Sequence, residues 1–174
     1  MTTLHVPSWD QYFMSLAHLI ARKSKDQSTK TGAIIVGPDN EIRSTGYNGF
    51  PRHVHDDDVK KHTAPNKYMW TEHAERNAIY NAARVGISLD NCIMYVTWHP
   101  CHDCARAIVS AGIVCVVVHK NFEMIGRASG DWDESQKIAQ AIFDEAGVTI
   151  RFYEGPLVGI QPLKGRQLVN LEII

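Results

Sequence analysis

Apolar positions Trp9, Tyr12, Phe13, Leu16, Ala17, Ile20 and Ala21 recur in steps of three and four, the stripe of an amphipathic helix. Ser8 and Gln11 give its start a capping-box pattern, and the polar segment from Lys23 to Lys30 ends it. Thr31 to Val36 is apolar and β-rich. Pro38-Asp39-Asn40 reads as a turn, and Glu41 to Tyr47 returns as a second strand, so a hairpin is expected. Residues 49–70 show no sustained period. A helix is predicted from Thr71 to Arg84, stopped by Gly86. Cys92 to Trp98 reads as a strand. Pro100 to Ala111 reads as a helix with Gly112 just past its end. Ile113 to His119 is a continuous β-branched run, the pattern of a strand covered on both faces. Asp131 with Glu134 opens a further helix to Ala146, stopped by Gly147, and Val148 to Tyr153 is the last strand. The tail from Glu154 has weak strand or loop character.

The order α-β-β-α-β-α-β-α-β, with strands and helices alternating from residue 71 onward, predicts parallel pairings and helices on both faces of a sheet. No repeat or linker interrupts it, so residues 1–174 read as one α/β domain with a 50–70 insertion loop and a 154–174 tail. At 174 residues and 44% hydrophobic, the chain can bury a substantial core. A net charge of −1 lacks the basic footprint of a nucleic-acid binder. The longest apolar run, Ile113 to Val118, is far too short to span a membrane. The N-terminus lacks the apolar core of a signal peptide. Four cysteines without a secretory signal point to a reducing, cytoplasmic setting, where packing, metal or redox chemistry must explain them.

Two segments carry the chemistry: His73-Ala74-Glu75 and Pro100-Cys101-His102-Asp103-Cys104. Cys101 and Cys104 are three apart at a helix start, so their sulfurs share one face, and the helix N-terminus favours thiolate. With His73 they make three ligands for a tetrahedral zinc whose fourth position is open, the catalytic pattern. His73 and Glu75 are two apart, roughly 200° around a helix, so the metal must lie off the helix end rather than along its side. Two helix N-termini converging on one zinc ion are therefore expected. Alone, a CxxC pair also suits a structural zinc site or a redox pair. A carboxylate beside three ligands and a separate His-Ala-Glu segment argue against both.

The joined H-x-E…P-C-x-x-C pattern is the signature of zinc deaminases, and here the chain resembles the cytidine and deoxycytidylate deaminase family. Further blocks carry the resemblance: Lys23-Ser24-Lys25-Asp26, Thr31-Gly32-Ala33-Ile34-Ile35-Val36, Gly46-Tyr47-Asn48-Gly49-Phe50-Pro51 and His73 through Ile79, within residues 22–120. The resemblance implies a three-layer α-β-α fold with a mixed five-stranded sheet. It implies hydrolytic deamination of dCMP to dUMP and ammonia, which supplies dUMP for thymidylate synthesis, with one catalytic Zn²⁺ on His73, Cys101 and Cys104. Glu75 would take the water proton, deliver it to N3 and help protonate the leaving amine. Substrate contacts are expected from Asn48, Ala74 and Trp98 near the sugar and base, from Ser24, Lys25 and Lys30 near the phosphate, and from Arg84 toward a phosphate or a neighbouring subunit. Each has an ordinary structural alternative: Asn48 as a turn residue, Trp98 as core, the 24–30 segment as a solvated loop, Arg84 as a helix C-terminal charge. Asn77 reads as a helix-to-loop hydrogen-bonding residue. Cys92 and Cys115 read as small buried hydrophobes.

The 50–70 loop has no cysteine, so it cannot supply the thiolate of the second zinc site some relatives carry there. His53, His55, Lys60 and Lys61 are its candidate regulatory residues, for Mg²⁺ or a nucleotide phosphate. The resemblance implies activation by dCTP with magnesium, inhibition by dTTP, and a homo-oligomer, a hexamer by preference. The segment His119-Lys120-Asn121-Phe122 lacks the tyrosine often found there as the base-stacking partner. Alternative readings are another zinc deaminase, acting on cytidine, guanine or tRNA adenosine, and a non-catalytic zinc-binding paralogue.

Overall fold

The structure, a computed structural model, describes residues 6–26, 28–120, 130–164, 167 and 168. The β-rich runs form one mixed sheet: β1 (Gly32–Val36), β2 (Ile42–Tyr47), β3 (Ile93–Val96), β4 (Cys115–His119) and β5 (Thr149–Tyr153), in the spatial order β2-β1-β3-β4-β5. β1 pairs antiparallel with both β2 and β3, whereas β3-β4 and β4-β5 are parallel. All five residues of β1 are buried, because layers cover both faces of the sheet.

One face carries α1 (Trp9–Ala21). Phe13, Met14 and Ala17 pack there on Ile34, Val36, Tyr95 and Val117, and Leu157 and Ile160 of the tail close the layer. The opposite face carries α3 (Ala74–Val85), α4 (His102–Ser110) and α5 (Gly130–Ala146), with α2 (Lys67–Trp70) in the loop before α3. Ala78, Ala82, Ile108, Ala139 and Phe143 meet Ile35, Met94, Val96, Val116 and Val118 in this second core. Each large side chain so buried contributes about 1.5–3 kcal/mol. The three-layer arrangement and mixed sheet are those expected from the sequence.

Two glycines set how closely helices approach the sheet. A Cβ on Gly32 would lie 2.2 Å from the Ala17 carbonyl of α1, and one on Gly46 would lie 2.2 Å from the Ala74 carbonyl and 2.3 Å from the Ala78 nitrogen of α3. α3 is fastened to β2 by side chains as well. Ser44 donates to the Ala78 carbonyl, Asn77 to the Tyr47 carbonyl and Asn81 to the Thr45 carbonyl. Asn77 is thus a hydrogen-bonding residue as expected, but it ties the helix to the last residue of strand β2 rather than to a loop. In the β1-β2 register the carbonyls of Thr45 and Tyr47 face away from β1, toward the open side of the strand.

Several boundaries differ from the sequence pattern. α3 starts at Ala74, not Thr71: Glu72 makes an isolated antiparallel bridge with Gly49, and His73 has an extended backbone at φ −74°, ψ 155°. α4 starts at His102 with Cys101 as its N-cap, and β3 is limited to Ile93–Val96. The 49–70 segment is not structureless: it contains a 3₁₀ turn (Val59–His62) and α2. Phe50 stacks on His62 at 4.9 Å, and the Lys61 ammonium sits 4.4 Å from the centre of the Trp70 ring. In the tail, Leu163–Lys164 (β6) and Gln167–Leu168 (β7) form a small antiparallel ladder. Cys92 is buried, while Cys115 is half-buried. Asn121 and Phe122 lie outside the described residues, as does the side chain of Asp131.

Candidate metal centre and active site

His73 is the N-cap of α3 and Cys101 the N-cap of α4, so the two helices point their N-termini at one place. Cys104 follows in the first turn of α4. The His73 Nδ1 lies 3.5 Å from each sulfur, and the sulfurs lie 3.6 Å apart. A tetrahedral zinc with ordinary bond lengths would separate these donors by about 3.6 Å for N···S and about 3.8 Å for S···S. The donor set therefore fits zinc in both chemistry and spacing. It is the one group of three metal-ligating side chains among the described residues. The Cys101 thiol is pushed down to about 3, first by its hydrogen bond with Cys104 and then by His73, against the opposing effect of burial. Cys104, which shares that bond and is deeply buried, is held well above its ordinary value.

Glu75 is only 3% exposed. Burial pushes its carboxyl above the usual range, opposed by His73. A buried carboxyl beside three metal ligands suits a group that picks up and passes on a proton. Arg76, the next residue, pairs with Glu72 and reaches Asp103 at 3.6 Å, bracing the start of α3 against that of α4.

Residues 7–120 match the family model for the cytidine and deoxycytidylate deaminase zinc-binding region. The chain belongs to this family. Human deoxycytidylate deaminase is 39% identical over 148 residues, covering 82% of this chain and 78% of the relative. ComE operon protein 2 of Bacillus subtilis is 34% identical over 148 residues, covering 84% of this chain and 72% of the relative. Among solved structures, the apo dCMP deaminase of cyanophage S-TIM5 superposes with a TM-score of 0.65 at 25% identity, covering 86% of this chain and 100% of that one. The same phage enzyme, in complex with dCMP and dUMP, gives 0.63 at 26% identity, covering 81% of this chain and 93% of that one. As in other members of the cytidine and deoxycytidylate deaminase family, the cofactor is zinc.

The other site residues expected from the sequence do not all gather at this centre. Asn48 and Ala74 border the metal centre: Asn48 is buried, its Oδ1 accepts the Ala74 N–H at 2.9 Å, and its Nδ2 donates to the Thr29 carbonyl at 3.3 Å. Trp98 is half-buried two residues before Pro100. The 24–30 segment is folded on itself. Ser24 is buried and accepts the Asp26 N–H, Lys30 donates to the Ser24 carbonyl, and Lys25 pairs with Asp56 at 2.6 Å. Arg84 is exposed in the last turn of α3, about 16 Å along the helix from His73 at 1.5 Å per residue, so the structure does not bring it to this chain's own centre. His53, His55 and Lys60 are exposed, and the half-buried Lys61 donates to the His55 carbonyl. They form no group of three metal ligands among the described residues. No helix of the described residues is long and apolar enough to cross a membrane. The sequence reading missed Ser135, whose hydroxyl lies against His102; no motif marks it.

Proposed function

We propose that this chain is a zinc-dependent hydrolase that converts dCMP to dUMP and ammonia as a single catalytic domain. The observation that carries the reading is the meeting of His73, Cys101 and Cys104 with buried Glu75 at two helix N-termini. The substrate is supported by the relatives named deoxycytidylate deaminase and by the phage enzyme solved with dCMP and dUMP.

Zinc held by the three ligands supplies Lewis acidity that makes water nucleophilic near neutral pH. Glu75 takes a proton from the attacking water on a carboxylate oxygen and passes it to N3 of the cytosine. A C4–O bond forms as the ring accepts that proton. Glu75 then delivers the second proton to the amino nitrogen, the C4–N bond breaks, and ammonia leaves. Its raised pKa favours the protonated form between these transfers. Asn48, Ala74 and Trp98 serve as the substrate-side residues, with Ser24, Lys25 and Lys30 toward the phosphate. Arg84 serves only a neighbouring copy, in a homo-oligomer that we take to be a hexamer.

Regulation by dCTP with Mg²⁺ and by dTTP belongs to the same reading. An open pocket lies between Lys23 and Lys25 on one side and Tyr47, Phe50, Asp56 and His62 on the other. Its wall at Gly49 is bonded to Glu72, next to His73. The reducing cytoplasm is the compartment in which the free cysteines serve as ligands.

The test is ammonia release from dCMP, dCTP, deoxycytidine and cytosine, with dCMP saturation repeated in the presence of dCTP or dTTP. Turnover of dCMP above the other three is expected, with sigmoidal curves that dCTP makes hyperbolic. Turnover of deoxycytidine or cytosine in preference to dCMP overturns the substrate. Sedimentation as a monomer at micromolar concentration overturns the assembly.

A further inference from the structure

The residues that open the two zinc helices cannot cap them. An N-cap side chain ordinarily accepts a first-turn N–H, yet neither His73 nor Cys101 does so. Their side chains point at each other instead. The first-turn N–H groups must then find acceptors elsewhere in the chain. For α3 the acceptor is Asn48, at Ala74. For α4 it comes from α5. The Ser135 Oγ accepts the His102 N–H at 3.3 Å and lies 2.8 Å from the His102 Nδ1.

The Ser135 oxygen accepts the backbone N–H and shares a second hydrogen bond with Nδ1. The His102 Nε2 faces the Asp103 carboxylate at 3.6 Å. One hydroxyl thus holds both the backbone and the side chain of His102, the first of the two residues between Cys101 and Cys104. Ser135 is itself held in place. Ala139 and Phe143, four and eight residues on along the same stripe of α5, are fully buried in the core beneath α4. The Ser-His-Asp order here is not a nucleophile: Ser135 is engaged as an acceptor by a backbone N–H, and Asp103 is paired with Arg106.

We propose that Ser135 is a positioning residue of the metal centre, holding the first turn of α4 so that Cys101 and Cys104 present their sulfurs at metal-binding distance. The proposal rests on the zinc reading of His73, Cys101 and Cys104. Two of the three ligands sit on this single turn, so its looseness translates directly into metal retention. Groups that orient ligands from behind typically alter metal affinity about 10- to 100-fold when removed.

The test compares Ser135→Ala and Ser135→Thr with the unaltered holoprotein. Zinc release into an excess of chromogenic chelator is timed, and the thiolate-to-cobalt absorption bands are recorded after cobalt substitution. Ser135→Ala should release zinc about 10-fold faster and show altered cobalt bands. Ser135→Thr, which keeps the hydroxyl, should restore both. Release and spectra unchanged in Ser135→Ala overturn the proposal, as does a Ser135→Thr protein that behaves like Ser135→Ala. An unaltered protein without one zinc per chain overturns the metal reading and this proposal together. One zinc per chain with an unaffected Ser135→Ala overturns this proposal alone.

Discussion

The Oδ1 of Asn48 accepts the backbone N–H of Ala74 at 2.9 Å, joining the turn after β2 to the first residue of the helix that His73 opens. A residue expected to touch substrate is thus also the cap of the histidine ligand's helix. Asn48→Ala should lower stability by about 1 kcal/mol, the usual cost of a lost cap, and should lower zinc occupancy too. Thermal unfolding and metal analysis of the purified variant check this. Unchanged stability would leave Asn48 with a substrate role alone.

Removal of a thiolate tests the centre directly. Cys101→Ala should leave the chain folded, because it trims a single sulfur from the second core and leaves its large side chains in place, yet without zinc and without activity. Full zinc content in this variant would show the ligand set to be wrong.

Glu75→Gln separates proton transfer from metal binding. The amide has nearly the same volume in the same buried place, so zinc content should be retained. The rate should fall by at least about 10²–10⁴-fold, the usual contribution of a positioned proton-transfer group. A loss of only a few-fold would reduce Glu75 to a structural role.

Gly46→Ala asks how closely α3 must sit on the sheet. The added methyl meets backbone atoms of Ala74 and Ala78, which cannot turn aside as a flexible side chain would. A loss of about 1–3 kcal/mol is expected for such overpacking, together with weaker zinc retention because His73 moves with the helix. Denaturant unfolding of the holoprotein and its zinc content measure both.

Acid sensitivity should come from the α1 face of the sheet. The His18 Nε2 and the His119 Nδ1 share a hydrogen bond of 2.8 Å there. Burial depresses both, His119 to about 4, and the neighbouring ring adds to the effect on His18. The unfolded chain therefore binds more protons below about pH 6.5, and stability falls as pH drops from there through the folded values. Each such histidine contributes a slope of up to about 1.4 kcal/mol per pH unit. His119→Gln keeps a partner for His18 and removes one of the two titrating rings. Its stability should fall less between about pH 6.5 and 5 than that of the unaltered chain, as read by urea unfolding. Equal slopes would disprove the assignment.

The centre was legible in the sequence because its residues sit at fixed local spacings: three between the two cysteine ligands, two between the ligand His73 and the proton-transfer group Glu75. The sheet was legible because β1 is apolar throughout and β4 is apolar up to its last residue, His119, as expected of strands covered on both faces. What stayed hidden depends on distant pairs. Thr71 to His73 continue the helical pattern in composition, but Gly49, more than twenty residues earlier in the chain, holds Glu72 extended. The Lys30 ammonium donates to the Ser24 carbonyl, a backbone partner that composition does not reveal. Ser135 looks like any polar position in the first turns of a helix until α4 lies beside it.

The asparagines of α3 have a consequence for how this protein meets others. β2 borders the sheet and would ordinarily offer its outward carbonyls as a template for an arriving strand. Asn81 and Asn77 already occupy those of Thr45 and Tyr47. A foreign strand would have to displace both side chains before its own amides found acceptors. The helix that presents His73 therefore also guards this border against runaway cross-chain β-stacking.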